Sequence, residues 1–191
     1  MSEIRLYFEG DDKLRPGFKV FLREVDDKAR SLRIGFQAVA CNSTPVEDFL
    51  IGVKKHPQSM NVLLRDSEGP DNDRLCEQFG IPQEHGARVF WMIELMESWF
   101  IADPESLKSY YGNGFNRAAL NQNPRVEEIP KDDVLSCLNR GTKNTQKGAY
   151  HKTKHAPVIL QKINPAKVRK AAPQCERLFV SLLAQCNGPA D

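Results

Sequence analysis

Long apolar runs are missing from this sequence. No stretch approaches the roughly 18 apolar residues that a membrane-crossing helix needs. The N-terminus enters a strand-like pattern at once, without the basic-then-apolar order of a signal peptide, so a cytoplasmic location is expected. Paired cysteines are missing too: Cys41, Cys76, Cys137, Cys175 and Cys186 are odd in number and widely spread, without the CxxC spacing of zinc or redox sites. They are expected to be reduced structural thiols. Without a glycine-rich phosphate loop, any ATP site would have to belong to another subunit. Internal repeats and low-complexity tracts are likewise absent, which excludes solenoid and fibrous architectures.

What is present suits one packed domain or a domain with an appendage: 191 residues, 40% of them hydrophobic. The net charge of +2 hides an asymmetry. Nine Lys or Arg and no Asp or Glu lie between Arg140 and Lys170, so the acidic excess falls in the rest of the chain. That division fits an acidic centre overlooked by a basic segment able to hold a polyanion, or a solvated basic surface.

In chain order, Ile4 to Glu9 reads as a strand, followed by a turn at Gly10-Asp11-Asp12. Leu14, Phe18, Phe21, Leu22 and Val25 recur at helical spacing, predicting one amphipathic helix to about Arg30. A second strand covers Ile34 to Ala40, and Asn42-Ser-Thr-Pro45 offers caps for a helix from Val46 to Lys55. Asn61 to Arg65 is nearly continuous in apolar character, as a strand buried on both faces requires. A fourth strand covers Ala87 to Ile93, and a helix is expected near Met96 to Phe100. Asp103 caps the next helix, with Pro104 in its first turn. The stretch from Gly112 to Val126 is loop-like. Pro130 opens a short helix, a basic loop runs from Gly141 to Lys154, and helices follow over Ala156 to Ile163, Pro165 to Lys170 and through Leu178, Val180 and Leu183. Strands separated by helices imply parallel pairing through right-handed crossovers.

The chemistry concentrates at strand ends. Asn61-Val-Leu-Leu-Arg-Asp66-Ser-Glu68-Gly69 is an apolar run breaking into two carboxylates two residues apart, which on an extended backbone point the same way. Ile4-Arg-Leu-Tyr-Phe-Glu9-Gly10 repeats the pattern with one acid. The ends of parallel strands are where open α/β sheets bind ligands, and hard carboxylate oxygens suit Mg²⁺ or Mn²⁺. Asp66 and Glu68 are the expected metal ligands. Glu9 is either a ligand or the acceptor of a proton from an attacking water. Glu94 and Glu97 either bind a second metal or favour a helix start through the macrodipole. Such a cluster should raise at least one carboxylate's pKa by mutual repulsion when metal is absent. Asp11, Asp12, Asp71 and Asp73 read as turn residues, and Trp91 and Trp99 as core. Lys147, Lys152 and Lys154 could reach a nucleic-acid backbone, with Lys152 and Lys154 the catalytic candidates. His151 and His155, four apart, could share a metal on a helix, although no third ligand is near in sequence.

The order strand-Glu, helix, strand, helix, strand-Asp-x-Glu resembles the Toprim fold of topoisomerases, primases and certain nucleases, in which a glutamate after the first strand and an Asp-x-Asp after the third bind Mg²⁺ around a phosphodiester. Glu68 departs from that pattern, where Asp is commoner. Met92-Ile-Glu94-Leu-Met-Glu97 resembles the glutamate-rich element of nucleases of the overcoming-lysogenization-defect type. The whole chain looks like an uncharacterised bacterial Toprim-like family sometimes encoded beside an ATPase. The resemblance implies an α/β, Toprim-like open sheet of about four mainly parallel strands flanked by helices, residues 1–111, with a helical C-terminal extension, residues 112–191, packed on it. It also implies a metal-dependent nuclease acting on DNA or RNA, as the effector of a phage-defence pair with an ATPase partner. The alternative is a non-catalytic Toprim-like subunit that binds nucleic acid or docks that partner.

Overall fold

The computed structural model describes residues 3–186. Four strands, β1 (Glu3–Phe8), β2 (Gly35–Ala40), β3 (Met60–Asp66) and β4 (Val89–Met92), form a parallel sheet in the order β2-β1-β3-β4. Each connection must cross back over the sheet, so helices lie on both faces. The first connection carries a 3₁₀ turn (Asp12–Leu14), α1 (Arg15–Phe21) and α2 (Arg23–Ser31); the second carries α3 (Pro45–Lys55); the third carries the short α4 (Leu75–Gln78) and a 3₁₀ stretch over Gln83–Arg88. After β4 come α5 (Glu97–Ile101), α6 (Pro104–Tyr111), α7 (Lys131–Thr142), α8 (Lys152–Leu160), α9 (Pro165–Ala171) and α10 (Pro173–Cys186). This is the open α/β arrangement, four parallel strands flanked by helices, that the order of elements implied.

The alternation of strand side chains divides the core in two. Leu6, Phe8, Val62, Leu64, Phe90 and Met92 face a large cluster with Phe18, Phe21, Trp99 and Phe179 from the helices. Tyr7, Leu63, Val89 and Trp91 face a smaller one with Phe49, Leu75 and Ile81. Trp99 stacks on Phe21 at 5.1 Å between centroids, and Phe179 meets Phe21 edge-on at 5.7 Å, so α1, α5 and α10 share one aromatic centre. α8 lies directly against α1 because Gly17 has no side chain: a Cβ there would come within 2.8 Å of Leu160.

Several boundaries differ from expectation, each for a local reason. The predicted helix from Leu14 to Arg30 is broken at Leu22, whose backbone leaves the helical region as its side chain is fully buried. The predicted loop from Gly141 to Lys154 is shorter, because α7 runs through Thr142 and α8 starts at Lys152. The start of α8 is held by His155, whose Nδ1 accepts the His151 backbone N–H at 3.0 Å, a side chain reaching back one turn as in a capping box. Among the described residues the group with metal-ligand spacing is Glu9, Asp66 and Glu68, so a His151–His155 pair finds no third ligand. On α10 the buried face carries Leu178, Phe179 and Leu182, while Val180 is 54% exposed. No described helix is long and apolar enough to cross a membrane.

Candidate metal centre

β1 and β3 are neighbours at the point where the strand order reverses, and their C-terminal ends open the crevice where doubly wound sheets bind ligands. Glu9 leaves β1 there, and Asp66 and Glu68 leave β3. One carboxylate oxygen from each lies within 4.8 Å of the others. Adjacent ligands of a Mg²⁺ ion are about 3 Å apart and opposite ones about 4 Å, so these three hard oxygens would draw closer together around a bound divalent cation.

The chain is held to this shape by backbone contacts. Gly10 turns away from β1 at φ +129°, a conformation open to glycine, so Glu9 stays at the strand end. Asp66 is 4% exposed, and its Oδ1 accepts the Met96 N–H at 2.8 Å, anchoring the start of α5. Ser67 Oγ accepts the Glu94 N–H at 2.8 Å, and Glu68 N–H donates to the Glu94 carbonyl at 3.1 Å, lacing together the loops that follow β3 and β4. Glu68 and Glu94 both sit at left-handed φ, +58° and +61°. A non-glycine residue held there stores strain of about 1–3 kcal/mol, and such strain gathers at functional sites.

Burial is the first cause of the electrostatics. Asp66 is pushed up to about 7, chiefly by desolvation and further by Glu97 and Glu9, against the opposing pull of Lys152. Glu9 is also raised, again first by burial, with Arg65 pulling the other way and Glu68 adding repulsion. The expected upward shift is present, but removal from water contributes more than mutual repulsion. A carboxylate that resists ionising when bare is one that a cation would stabilise.

Cations of the protein partly fill that need. Lys152 extends an exposed stem whose Nζ lies 3.5 Å from Asp66 Oδ2 and 3.8 Å from Glu97 Oε2. Burial alone would lower its pKa, but Glu97 and Asp66 outweigh it and hold Lys152 above the usual lysine value. Lys131 pairs with Glu68, and its backbone N–H donates to Glu94 Oε2 at 3.1 Å. Arg65 places Nη2 3.3 Å from Glu9 Oε2, donates to the Asp66 carbonyl and lies 3.7 Å over the Phe79 ring. Glu97 is fully buried, receives the Tyr150 hydroxyl at 2.7 Å on Oε1, and has no hydrogen-bond partner for Oε2.

Of the residues singled out from sequence, the structure brings Glu9, Asp66 and Glu68 together, with Glu97 and Lys152 joined to Asp66. Glu94 instead caps the backbone of Lys131, and Lys154 is exposed on the first turn of α8. Lys147 lies 5.1 Å from the centre of the Tyr110 ring. Trp91 and Trp99 are core. Arg65, Lys131 and Tyr150 were missed. Arg65 carried a signal, a cation inside an otherwise apolar strand, whereas nothing local marks Lys131 or Tyr150, which meet their partners across 63 and 53 residues.

The model of the family described as Domain of unknown function (DUF4276) matches residues 28–183, a span that holds Asp66, Glu68, Glu97 and Lys152 and begins after Glu9. No curated protein matches the chain. Among solved structures, the C-terminal region of the Burkholderia pseudomallei OLD protein is similar at 16% identity, covering 93% of this chain and 98% of that one with a TM-score of 0.45.

Proposed function

The chain belongs to the DUF4276 family, whose description assigns no activity, and from its own residues we propose that it is a metal-dependent nuclease cleaving phosphodiester bonds. The observation that carries this reading is the convergence of Glu9, Asp66 and Glu68 at the strand-order reversal. Asp66 and Glu68 would hold Mg²⁺ or Mn²⁺, which when bound supplies positive charge beside the reacting phosphate oxygens. Glu9, with its raised proton affinity and its tie to Arg65, is placed to take a proton from an attacking water. Lys152 is the side chain that meets the phosphate, releasing Asp66 as it does so. Lys154 and Lys147 on the same basic segment hold the flanking backbone. Any ATP hydrolysis coupled to this activity, as in a defence pair working in the cytoplasm, belongs to a separate partner.

Asp66→Asn removes ligand charge at nearly constant volume and tests the reading directly. Mg²⁺-dependent cleavage should fall more than about a hundredfold, roughly 3 kcal/mol at the transition state, with the fold intact. Full activity in that variant would end the proposal.

A further inference from the structure

Beside the acidic centre lies a small cavity, about 150 Å³, whose lining includes Asp11, Leu14, Lys152, Thr153, Ala156 and Pro157. We propose that it receives a single nucleobase of the strand whose phosphate lies at the centre, so that the substrate is a nucleotide presented out of its base stack; this inference rests on the nuclease reading.

Three observations support it. Lys152 belongs to both places: its stem lines the cavity while its amine reaches Asp66 and Glu97. A group in the cavity is therefore one side-chain length from a phosphate at the acids, the spacing between a nucleotide's base and its own phosphate. The lining chemistry selects a neutral occupant. Leu14 and Ala156 are buried apolar residues of the lining, Pro157 adds a third apolar side chain, and Asp11 brings a carboxylate. A second phosphate would meet Asp11, and the one cation of the lining, Lys152, is already turned to Asp66 and Glu97, whereas a base offers an apolar face and N–H donors that a carboxylate accepts. Size then narrows the choice. Pockets for drug-sized ligands run to about 300–1,000 Å³, so this one holds a flat ring system and little else.

Larger cavities lie elsewhere. One of about 330 Å³ sits at the far end of α5 beside Pro104 and Lys170, and one of about 350 Å³ at the opposite ends of β3 and β4 beside Met60 and Arg88. A third, about 370 Å³, lies beside Cys76 and Ile81, and none of the three is lined by Lys152, the residue that ties the small cavity to the centre. A base inside the small cavity cannot stay stacked in a duplex, and enzymes that bury a base either flip it or act on single strands.

The test compares deoxyadenosine 5′-monophosphate with deoxyribose 5-phosphate, each titrated calorimetrically into the full chain with Mn²⁺ present. The base should strengthen binding about tenfold or more. Ala156→Leu, which fills the cavity, should abolish that advantage and leave the affinity for deoxyribose 5-phosphate unchanged; Pro157→Asp, placing a charge on the wall, should do the same should the buried substitution misfold. Equal affinity of the two ligands for the wild-type protein, or an advantage that survives both substitutions, overturns the base pocket alone. Failure of both ligands to bind beside Mn²⁺ overturns the nuclease reading with it. Cleavage of a single strand should also outpace that of its duplex about tenfold, and equal rates would count against an unstacked base.

Discussion

At the scale of single residues, the centre combines groups that the fold holds at a cost. Glu68 occupies a left-handed conformation in which glycine would be at ease, and its side chain is exposed apart from its pairing with Lys131. Exposed ion pairs contribute about 0–1 kcal/mol, so backbone strain is the larger of the two effects. Glu68→Gly should therefore leave the thermal midpoint unchanged or raise it, while weakening divalent-cation binding. Glu68→Gln keeps the strain and also loses the charge, so it should bind metal as poorly without any gain in stability. Melting curves with and without Mg²⁺ separate the two, and a marked drop in the midpoint of Glu68→Gly would show that the ion pair outweighs the strain. The acids at 9, 66 and 68 were legible from sequence because a carboxylate ending an apolar run is a local pattern. Arg65 was only half legible, and Tyr150 not at all, since its role exists only once α7 and α8 bring it to Glu97.

At the scale of elements, α8 decides whether Lys152 reaches the acids. Reading Gly141 to Lys154 as loop was right for Lys147 but placed Lys152 and Lys154 on the wrong kind of backbone, because a helix that starts with Lys, Thr and Lys lacks the acidic first turn and side-chain oxygen cap by which starts are recognised. The cap comes from His155 one turn later. His155 Nε2, by contrast, is buried with no partner, among the rings of Tyr110, Tyr111 and Tyr150. His155→Phe keeps an aromatic ring there but removes both features. Losing the cap costs about 1 kcal/mol, and removing a buried unpaired polar group returns about 1–3 kcal/mol, so global stability should hold or improve. Cleavage at saturating substrate should nevertheless drop severalfold as the first turn of α8 loosens and Lys152 loses its place. Denaturant midpoints measured beside turnover rates decide this, and unimpaired turnover would mean that Lys152 needs no such support.

At the scale of the whole molecule, one buried carboxyl and one half-buried carboxyl set the response to pH. Asp66 and Glu127 are each pushed up to about 7, both mainly by burial; Glu127 accepts the Gln174 N–H at the start of α10. Groups whose folded pKa lies above the unfolded value bind more protons in the folded state, so their contribution is fully present below about pH 4 and is lost as pH rises to about 7. Metal-free protein should thus be less stable at pH 8 than at pH 5. Mg²⁺ should recover the part due to Asp66 and not that due to Glu127, and Asp66→Asn should flatten the profile by that same part. Thermal midpoints across pH in EDTA and in Mg²⁺ test this; a metal effect of equal size at pH 5 and pH 8 would contradict it. The sheet itself was legible because each strand has its own local signature, and what sequence could not supply is the packing of distant helices on it. That distance also has a consequence in time. The acids are all synthesised before α8, and a ribosome adding about 5–20 residues per second leaves an interval of seconds in which a nascent chain carries its carboxylates without Lys152. On the nuclease reading proposed above, such a half-made chain holds its acids without the lysine that meets the phosphate, and cleavage waits for α8.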